Sequence, residues 1–400
     1  MKHVLFVDDE PRLLAGLRRL LHPFRNEWDM TFVGSGPEAL AHLEVAPCDV
    51  IVSDMQMPGM NGAELLTRVH ARNPGIVRMV LSGHPDLELA MRAVPVAHQF
   101  LTKPCEPARL RELIERALNL HSLLSDASLR RTIGELRTLP SRPQVFTALT
   151  QALADPEVPL RTISAIVGRD IALSTKVLQL INSGFFALPS RVTSIERAVS
   201  CVGTSMLKSL LLFVEVFQSH GALDVPGFSL DALHQHAQLT ARIAMRLGSD
   251  QRADDVFLAA ILHDIGKLVL ASRMPGHLRA VLDEARQTGE ETFAVEQRAG
   301  EATHAAVGAY LLGLWGLPYP IVEAVAYHHE PRRVPYERFE LLGVVHVADA
   351  LAHESLSGAP PGADGLPAGI DVAYLEQLGL VQQVSQWRAY AAEETIQCAA

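Results

Sequence analysis

Residues 50–62 read VIVSDMQMPGMNG, and this stretch decides the fold of the N-terminal third of the chain. Val50, Ile51 and Val52 form a short β-branched run, which is typical of a buried strand. Asp54 follows this strand, and a helical pattern of apolar residues begins at Ala63. The stretch therefore predicts a β-strand that ends near a carboxylate and is followed by a helix.

On either side of this stretch, strand-type runs alternate with helical patterns. The predicted strands are Val4–Val7, Met30–Val33, Val50–Val52, Val77–Leu81 and Gln99–Leu101, and the predicted helices are Pro11–Leu21, Pro37–Leu43, Ala63–Val69 and Pro107–Leu118. Units of this kind predict an α/β doubly wound, five-stranded parallel sheet with helices on both faces. In such sheets the functional cleft lies beyond the carboxyl ends of the strands.

The pattern changes at about residue 121. Apolar residues then recur at three- and four-residue spacing as far as residue 354, which predicts an all-α domain. The predicted organisation is an α/β domain at residues 1–121, a helical linker at 122–138, an all-α domain at 139–354, and a loop with a C-terminal helical tail at 355–400. The fold class is therefore multidomain.

The composition is that of a folded, acidic protein. The chain has 400 residues, of which 48% are hydrophobic and 20% are charged, and its formal net charge is -10. This balance opposes an effector that binds nucleic acid, because such binding needs a concentrated Lys/Arg face. The four cysteines are scattered, and the densest apolar run is far too short to span a membrane. These features predict a cytoplasmic protein with neither a membrane nor a nucleic-acid partner.

Charged and polar residues follow the predicted strands. Asp8 and Asp9 come after the first strand, Asp54 after the third and Lys103 after the fifth, while Ser82 closes the fourth. Each residue alone has an ordinary explanation, since Asp often caps a helix and Lys-Pro often forms a turn. Their joint appearance at successive strand ends favours a shared functional cleft.

The chemistry of these residues suits a phosphoryl group. A hard cation such as Mg²⁺ takes oxygen ligands, which Asp9, Asp54 and the backbone carbonyl of Gln56 can supply with Asp8 in support. The metal and the Lys103 ammonium would offset the charge of a phosphoryl group that arrives on a carboxylate. The Ser82 hydroxyl would donate to a phosphoryl oxygen.

Residues 1–120 resemble the receiver domains of two-component response regulators. The matching segments are Val-Asp-Asp-Glu-Pro at 7–11, Asp-Met-Gln-Met-Pro-Gly-Met-Asn-Gly at 54–62, Leu-Ser-Gly at 81–83 and Thr-Lys-Pro at 102–104. The resemblance implies that Asp54 is the phosphoacceptor, Asp8 and Asp9 are metal-site acids, Ser82 and Lys103 are the catalytic switch residues, and Phe100 is the rotating aromatic. It also implies a sensor histidine kinase as partner. The sequence does not fix the oligomeric state, and a homodimer is one possibility because receiver domains often pair when phosphorylated.

The helical half carries a second group of potential metal ligands. Its members are His236, His263, Asp264, His304, His328, His329 and Asp349. Adjacent His-Asp and His-His pairs on helices can offer imidazole and carboxylate ligands to one pocket, and a two-metal site bridged by Asp264 is chemically sensible. Lys267 lies one helical turn beyond His263 and is a candidate phosphate-binding residue.

A structural explanation of the same residues stays open. Seventeen histidines make chance clusters common, and His263-Asp264 can be a buried structural pair in which Asp264 caps the next turn. The histidines assigned to the ordinary core or surface class are His220, His234, His277, His346 and His353. Sequence chemistry alone does not choose between a metal centre and a buried structural pair.

Residues 135 to about 355 resemble the HDOD domain, a helical relative of the HD metal-dependent phosphohydrolases. Among the matching segments are Leu-His-Asp-Ile-Gly-Lys at 262–267, Thr-His-Ala-Ala-Val-Gly at 303–308, Trp-Gly-Leu-Pro at 315–318 and His-His-Glu-Pro at 328–331. HDOD domains are generally regarded as regulatory modules. The resemblance nevertheless implies that this chain retains a potential metal ligand at every position where the catalytic HD relatives have one. No Gly-Tyr-Pro follows the His-His-Glu segment, which argues against cleavage of cyclic di-GMP.

Two functions are therefore expected. In the first, phosphorylation of Asp54 switches a helical domain that signals by binding an unidentified downstream protein. In the second, the helical domain is a regulated phosphohydrolase that acts on a nucleotide or other phosphate ester with a binuclear iron or manganese centre, as the resemblance to HD enzymes implies. A DNA-binding output is disfavoured, because no basic stretch is present.

Overall fold

The computed structural model describes most of the chain. The described residues are 2–83, 96–103, 105, 107–123, 127–134, 136, 143–155, 158–182, 192–201, 203, 225–248, 253–300, 303–315, 317–334, 338–358 and 365–399. The chain divides into two compact units, of which the first consists mainly of residues 1–137 and the second contains most of the rest. Each unit is described by itself.

The first unit contains a parallel sheet of five strands. These are β1 Lys2–Val7, β2 Trp28–Val33, β3 Val50–Asp54, β4 Val77–Ser82 and β5 Gln99–Thr102, in the order β2-β1-β3-β4-β5. Every neighbouring pair is parallel. The apolar run quoted above forms β3, and all five of its residues are buried, as expected for a central strand covered on both faces. The predicted α/β doubly wound sheet is confirmed.

Helices connect the first strands of this unit, and two more follow the last strand. They are α1 Pro11–Leu21, α2 Gly36–Val45, α3 Gly62–Arg72, α4 Pro107–Leu123 and α5 Ala127–Gly134. The α4 helix runs five residues beyond its predicted end at Leu118, and α5 occupies part of the predicted linker. The strand order changes direction between β1 and β3, which is where ligands bind in sheets of this kind.

The described residues of the second unit form helices and no strands, so the predicted all-α domain is confirmed. The helices beyond residue 142 are α6 Pro143–Ala154, α7 Leu160–Val167, α8 Ile171–Ile181, α9 Leu230–Leu247, α10 Ala253–Leu262, α11 Ile265–Arg273, α12 Pro275–Thr288, α13 Thr292–Ala299, α14 His304–Leu314, α15 Tyr319–Tyr327, α16 Leu341–Ser357, α17 Val372–Leu378 and α18 Val384–Ala399. The residues of α8 from 179 and of α14 from 310 belong to the first unit. The predicted tail at 372–392 is thus two helices, and the second extends to Ala399. Across the described ranges, no helix is both long and apolar enough to cross a bilayer.

Candidate phosphoryl and metal sites

The carboxyl ends of the strands bring three of the predicted residues together. Lys103 Nζ lies 2.7 Å from Asp8 Oδ2 and 2.6 Å from Asp54 Oδ1. Asp8 follows β1, Asp54 ends β3 and Lys103 follows β5. Asp8 is only 2% exposed and Asp54 only 5%. The sheet therefore holds two nearly buried carboxylates against one ammonium group at the predicted cleft.

Local backbone geometry orients both carboxylates. The amide of Gln56 donates a 2.9 Å hydrogen bond to Asp54 Oδ2, and the amide of Glu10 donates one of the same length to Asp8 Oδ1. A Cβ at Gly62 would collide with the carbonyl oxygen of Asp54, so α3 can begin this close to the end of β3 only because residue 62 is glycine. The segment from Asp54 to Gly62 thus determines both the turn between β3 and α3 and the position of the Asp54 carboxylate.

The charges of this cleft depend on one another. Burial raises the pKa of Asp54, and the hydrogen bond from Lys103 opposes that rise. Burial would lower the pKa of Lys103, but its hydrogen bonds to Asp54 and Asp8 outweigh that effect and raise it. The ammonium therefore stays protonated beside the two acids and offsets their charge.

The remaining predicted residues of this cleft have less structural detail. Asp9 and Gln56 are exposed at the ends of β1 and β3. The backbone of Ser82 closes β4 opposite Thr102, and Phe100 lies in β5. The side chains of Ser82 and Phe100 lie outside the described part of the chain, so their predicted roles are untested.

In the second unit, the predicted ligands converge around two carboxylates. His236 Nε2 lies 2.9 Å from Asp349 Oδ1 and 3.2 Å from His263 Nε2. On the other side, His304 Nε2 lies 3.2 Å from Asp264 Oδ1 and 3.1 Å from His329 Nε2. These contacts join residues up to 113 positions apart in sequence. All seven predicted ligands therefore belong to one site.

The two paired motifs lie in turns, which corrects the expectation that they lie on helices. His263 and Asp264 occupy the turn between α10 and α11, and His328 and His329 follow the end of α15. A turn releases adjacent side chains from the helical spacing that points neighbours in different directions. The His328 and His329 rings can therefore lie 4.1 Å apart at the same site.

Backbone and carboxylate acceptors set the orientation of three rings. His263 Nδ1 donates to Ala260 O at 2.7 Å, and His328 Nδ1 donates to Val325 O at 2.8 Å. His304 Nδ1 lies 2.6 Å from Glu296 Oε2. The Nε2 atom of each ring therefore faces the site, which is the orientation that metal-binding histidines adopt.

Two buried atoms of the site lack hydrogen bonds. Among the described residues, His328 Nε2 has no hydrogen-bond partner, and Asp264 Oδ1 has only the 3.2 Å contact with His304 Nε2, whose geometry is not that of a hydrogen bond. Buried polar atoms are normally satisfied, so atoms left without partners call for a ligand or another explanation. Asp264 is at the N-cap position of α11, but its side chain makes no capping bond. The capping role considered from the sequence is therefore wrong.

A close approach of two helix starts assembles this site. A Cβ at Gly266 would collide with the carbonyl oxygen of His304, and would lie 2.9 Å from the Gly308 amide. Glycine at 266 therefore lets the first turn of α11 lie against the first turn of α14. This contact carries Asp264 and Lys267 to His304.

Opposite pKa shifts accompany this geometry. Burial would lower the pKa of His304, but the Glu296 carboxylate outweighs it and raises that pKa to about 9. Burial, followed by the charge on His263, lowers the pKa of His328 to about 3. Burial would raise the pKa of Asp264, yet the Lys267 ammonium, 2.7 Å away, helps to hold it well below its usual range. The site thus keeps Asp264 ionised and His328 neutral, which are the forms that bind metals.

The site opens into a cavity of about 580 Å³. Lys267, the predicted phosphate-binding residue, lines it together with His236, Asp349 and Phe293, whose ring stacks on His329 with centroids 4.4 Å apart. Glu290 and Glu291 form an acidic part of the wall. The volume is in the usual range for small-molecule sites.

Sequence reasoning missed three residues around this site. Glu296 is fully buried and accepts from both the ring and the amide of His304. His346 donates to the carbonyl of His328 at 2.6 Å, and His353 lines the cavity. No local motif marks Glu296, whereas the spacing of His346 and His353 from Asp349 along α16 was a usable signal. Of the other histidines assigned to the ordinary class, His220 lies outside the described residues.

The ligand atoms fit a transition-metal centre. The potential ligand atoms form three groups, each within 4.8 Å: His304 with His328 and His329, His236 with His263 and Asp349, and His263 with Asp264 and His328. Imidazole and carboxylate donors suit iron, manganese or zinc. Asp264 lies between the two histidine groups, as a bridging carboxylate must. The site therefore offers imidazole and carboxylate ligand atoms to a bound metal.

Comparisons with known proteins agree with the two-unit organisation. The profile of the response regulator receiver domain matches residues 4–115, and the profile of the HDOD domain matches residues 139–331. The chain is 26% identical over 224 residues to an uncharacterized protein of Treponema pallidum, covering 56% of this chain and 43% of that one. It is 34% identical over 196 residues to the hydrogenase transcriptional regulatory protein HoxA of Cupriavidus necator, covering 45% and 39% of the two chains. The chain thus spans less than half of these relatives.

Solved structures similar to this chain include two bacterial signalling proteins. The receiver domain of an HD domain-containing protein of Pseudomonas fluorescens is 30% identical, with a TM-score of 0.29, and the match covers 30% of this chain and 94% of that one. The MmoQ response regulator of Methylococcus capsulatus is 20% identical, with a TM-score of 0.49, and the match covers 63% and 98%.

Proposed function

Because this chain is a two-component response regulator with an N-terminal receiver domain and a C-terminal HDOD domain, we propose that phosphorylation of Asp54 switches the signalling state of the HDOD domain. The receiver domain implies a phosphodonor such as a histidine kinase. The observation that carries the proposal is the pairing of Lys103 with both Asp8 and Asp54. An acid at a strand end with an ammonium within hydrogen-bond distance is equipped to accept a phosphoryl group.

Phosphoryl transfer to Asp54 would redistribute the charges of the cleft. An Asp54 oxygen attacks phosphorus as the bond from phosphorus to the donor breaks, and the new group adds negative charge and several acceptor oxygens. Lys103 then has a stronger partner than the free carboxylate. Receiver domains generally use Mg²⁺, which supplies further charge neutralisation when bound. Asp8, Asp9, Asp54 and the carbonyl of Gln56 offer oxygen ligands that fit this hard cation.

Acetyl phosphate with Mg²⁺ tests this proposal directly. We expect intact-mass spectrometry to detect a single added phosphoryl group on the wild-type chain and none on Asp54→Asn. Asp29→Asn is the matched control, because Asp29 is an exposed acid on strand β2 of the same sheet. Unmodified wild-type protein, or equal modification of Asp54→Asn, would contradict the assignment.

A second function is favoured by a separate observation, the convergence of seven ligands around unsatisfied His328 Nε2 and Asp264 Oδ1. In this candidate function the HDOD domain is a metal-dependent phosphohydrolase. Iron or manganese bound there would supply Lewis acidity and an activated water. Lys267 would bind a phosphate oxygen at the cavity wall, and Glu296 would hold the His304 ring in its ligating orientation.

Metal analysis of protein purified without a histidine tag separates these functions. We expect close to stoichiometric iron or manganese in the wild type, a large loss in His263→Ala and no loss in His277→Ala. His277 lies on α12 and does not line the cavity. Trace metal in the wild type that is unchanged by His263→Ala would remove the support for a hydrolase, and would leave the signalling proposal intact.

A further inference from the structure

Arg78 is a fully buried cation that the proposed phosphoryl chemistry does not use. It lies near the start of β4, and only 2% of it is exposed. Its Nε donates to Val96 O at 2.6 Å, and its Nη1 donates to Pro74 O at 2.7 Å and to Ile76 O at 2.8 Å. Its Nη2 contacts His98 Nε2 at 2.8 Å and donates to Gly134 O at 3.2 Å. Four of the five N–H groups of the guanidinium therefore have carbonyl acceptors, and the fifth faces the His98 ring, whose Nδ1 lies 3.0 Å from the Arg78 amide.

These acceptors come from three separate segments of the first unit. Pro74 and Ile76 belong to the turn before β4, and Val96 and His98 belong to the segment that enters β5. Gly134 is the last residue of α5, in the predicted linker. A single planar side chain thus joins the two strands β4 and β5 to the helix that leads out of the receiver domain.

The contact at Gly134 is a close approach of two backbones. A Cβ at this position would collide with the carbonyl oxygen of Pro74 and would lie 2.9 Å from its carbonyl carbon. Leu129 and Ile133 are buried on the same helix, at 6% and 1% exposure. Helix α5 is therefore held against the turn before β4 by the close approach at Gly134 and by one carbonyl that reaches a buried cation.

The docked helix is connected to the phosphoryl site by the strands themselves. β4 extends from Arg78 to Ser82 and pairs at Leu81 with Asp54. β5 begins directly after His98 and is followed by Lys103, which binds Asp54. A phosphoryl group on Asp54 would attract the Lys103 ammonium, which follows the C-terminal end of β5. Arg78 contacts the segment that precedes the N-terminal end of the same strand.

We propose that α5 is a switchable docked segment, held by Arg78 in the unphosphorylated receiver and released when Asp54 is phosphorylated. This inference rests on the proposed function. It identifies α5 as the element through which phosphorylation of Asp54 affects the linker. The guanidinium is a rigid fork, so a shift of β5 relative to β4 removes an acceptor from it. The Gly134 carbonyl makes the longest of the five contacts and comes from α5 rather than from a segment that leads directly into β4 or β5, so it is the one that is lost.

The release is measurable by amide hydrogen exchange of the full-length protein. After treatment with acetyl phosphate and Mg²⁺, we expect amides in 127–134 to exchange at least tenfold faster, whereas those of β1 and β3 are unchanged. The same amides in Asp54→Asn should not respond. Local exchange rates report the opening of a segment independently of global unfolding.

Two variants undock the helix without phosphorylation. Gly134→Ala places a methyl group against the Pro74 carbonyl, and Arg78→Lys cannot supply the same fork of donors. We expect both to show fast exchange at 127–134 in the unphosphorylated state, and Gly134→Ala to accept a phosphoryl group as the wild type does. Gly16→Ala is the matched control, because a Cβ at that helical position meets nothing within 4 Å.

The outcomes separate this inference from the function on which it rests. If Asp54 is modified and exchange at 127–134 is unchanged, the proposal that phosphorylation releases α5 is wrong, and the assignment of Asp54 as phosphoacceptor is unaffected. Slow exchange in Gly134→Ala would also overturn it. Failure of acetyl phosphate to modify Asp54 would overturn both.

Discussion

Histidine side chains in this chain have opposite protonation preferences because their neighbours differ. Glu296 raises the pKa of His304 to about 9, although both side chains are buried. His98, by contrast, is buried beside Arg78, and burial followed by the charge of Arg78 lowers its pKa well below the usual value. A residue name therefore does not predict charge; the contacts of the ring do.

The neutral state of His98 predicts an acid-sensitive receiver domain. Because the folded-state pKa lies below the unfolded value of about 6.5, the unfolded chain binds the extra proton as pH falls. The stability contributed by neutral His98 is fully present above pH 6.5 and is lost progressively as the pH falls below that value. The opening free energies of the β4 amides at pH 7 and pH 5, obtained from hydrogen exchange after division by the intrinsic exchange rate at each pH, measure this loss.

His98→Gln is the control for that prediction. Glutamine keeps an acceptor for Arg78 but has no proton to gain, so the opening free energy of its β4 amides should depend less on pH than that of the wild type. Equal pH dependence in the two proteins would show that His98 is not the group responsible.

At the scale of secondary structure, glycines at helix starts determine how the two sites are built. Gly62 lets α3 begin against the carbonyl of Asp54, and Gly266 lets α11 begin against the carbonyl of His304. In each case a Cβ would occupy the space of a backbone atom, which cannot move as a flexible side chain can. Each glycine sets a distance between two elements that carry functional residues.

Gly266→Ala should therefore disrupt the second unit. Overpacking of this kind costs about 1–3 kcal/mol or more, because α11 and α14 must separate. Gly276→Ala on α12 is the matched control: its Cβ would meet nothing within 4 Å, so it should be neutral or slightly stabilising. Thermal unfolding of the three proteins makes the comparison, and equal midpoints would contradict a tight approach of α11 to α14.

At the scale of the whole molecule, one chain combines the proposed phosphoryl site with a separate cluster of potential metal ligands. Any coupling between them must be reciprocal, because a partner that binds the phosphorylated form more tightly also stabilises that form. The acidic chain, with a net charge of -10, becomes more acidic on phosphorylation. The two chemistries are thus expected to communicate through a change of conformation or of partner.

Solution scattering tests that expectation. We expect acetyl phosphate with Mg²⁺ to change the scattering profile of the wild type and of Asp29→Asn, and to leave Asp54→Ala unchanged. In a pull-down with the phosphodonor present, the wild type and Asp54→Ala should capture different proteins. Identical profiles and identical captured proteins, with Asp54 shown to be modified, would contradict a phosphorylation-driven output.

Much of the fold and of the candidate sites was predictable from local sequence. The apolar run at 50–52 and the acids after it identified a parallel sheet with residues at its carboxyl ends. Motif spacing likewise selected seven residues of the helical half that the structure brings together. Their roles stay predictions, because proximity in a fold does not by itself establish metal binding or phosphorylation.

The sequence by itself determined the fold class and the residue types of both sites, because periodicity and short motifs encode local structure. Only the tertiary structure decided that His328 Nε2 is left bare, that Glu296 holds His304, and that Gly134 reaches Arg78. The physical reason is distance along the chain. Arg78 and Gly134 are 56 residues apart, and no local pattern records which buried donor a remote carbonyl will meet.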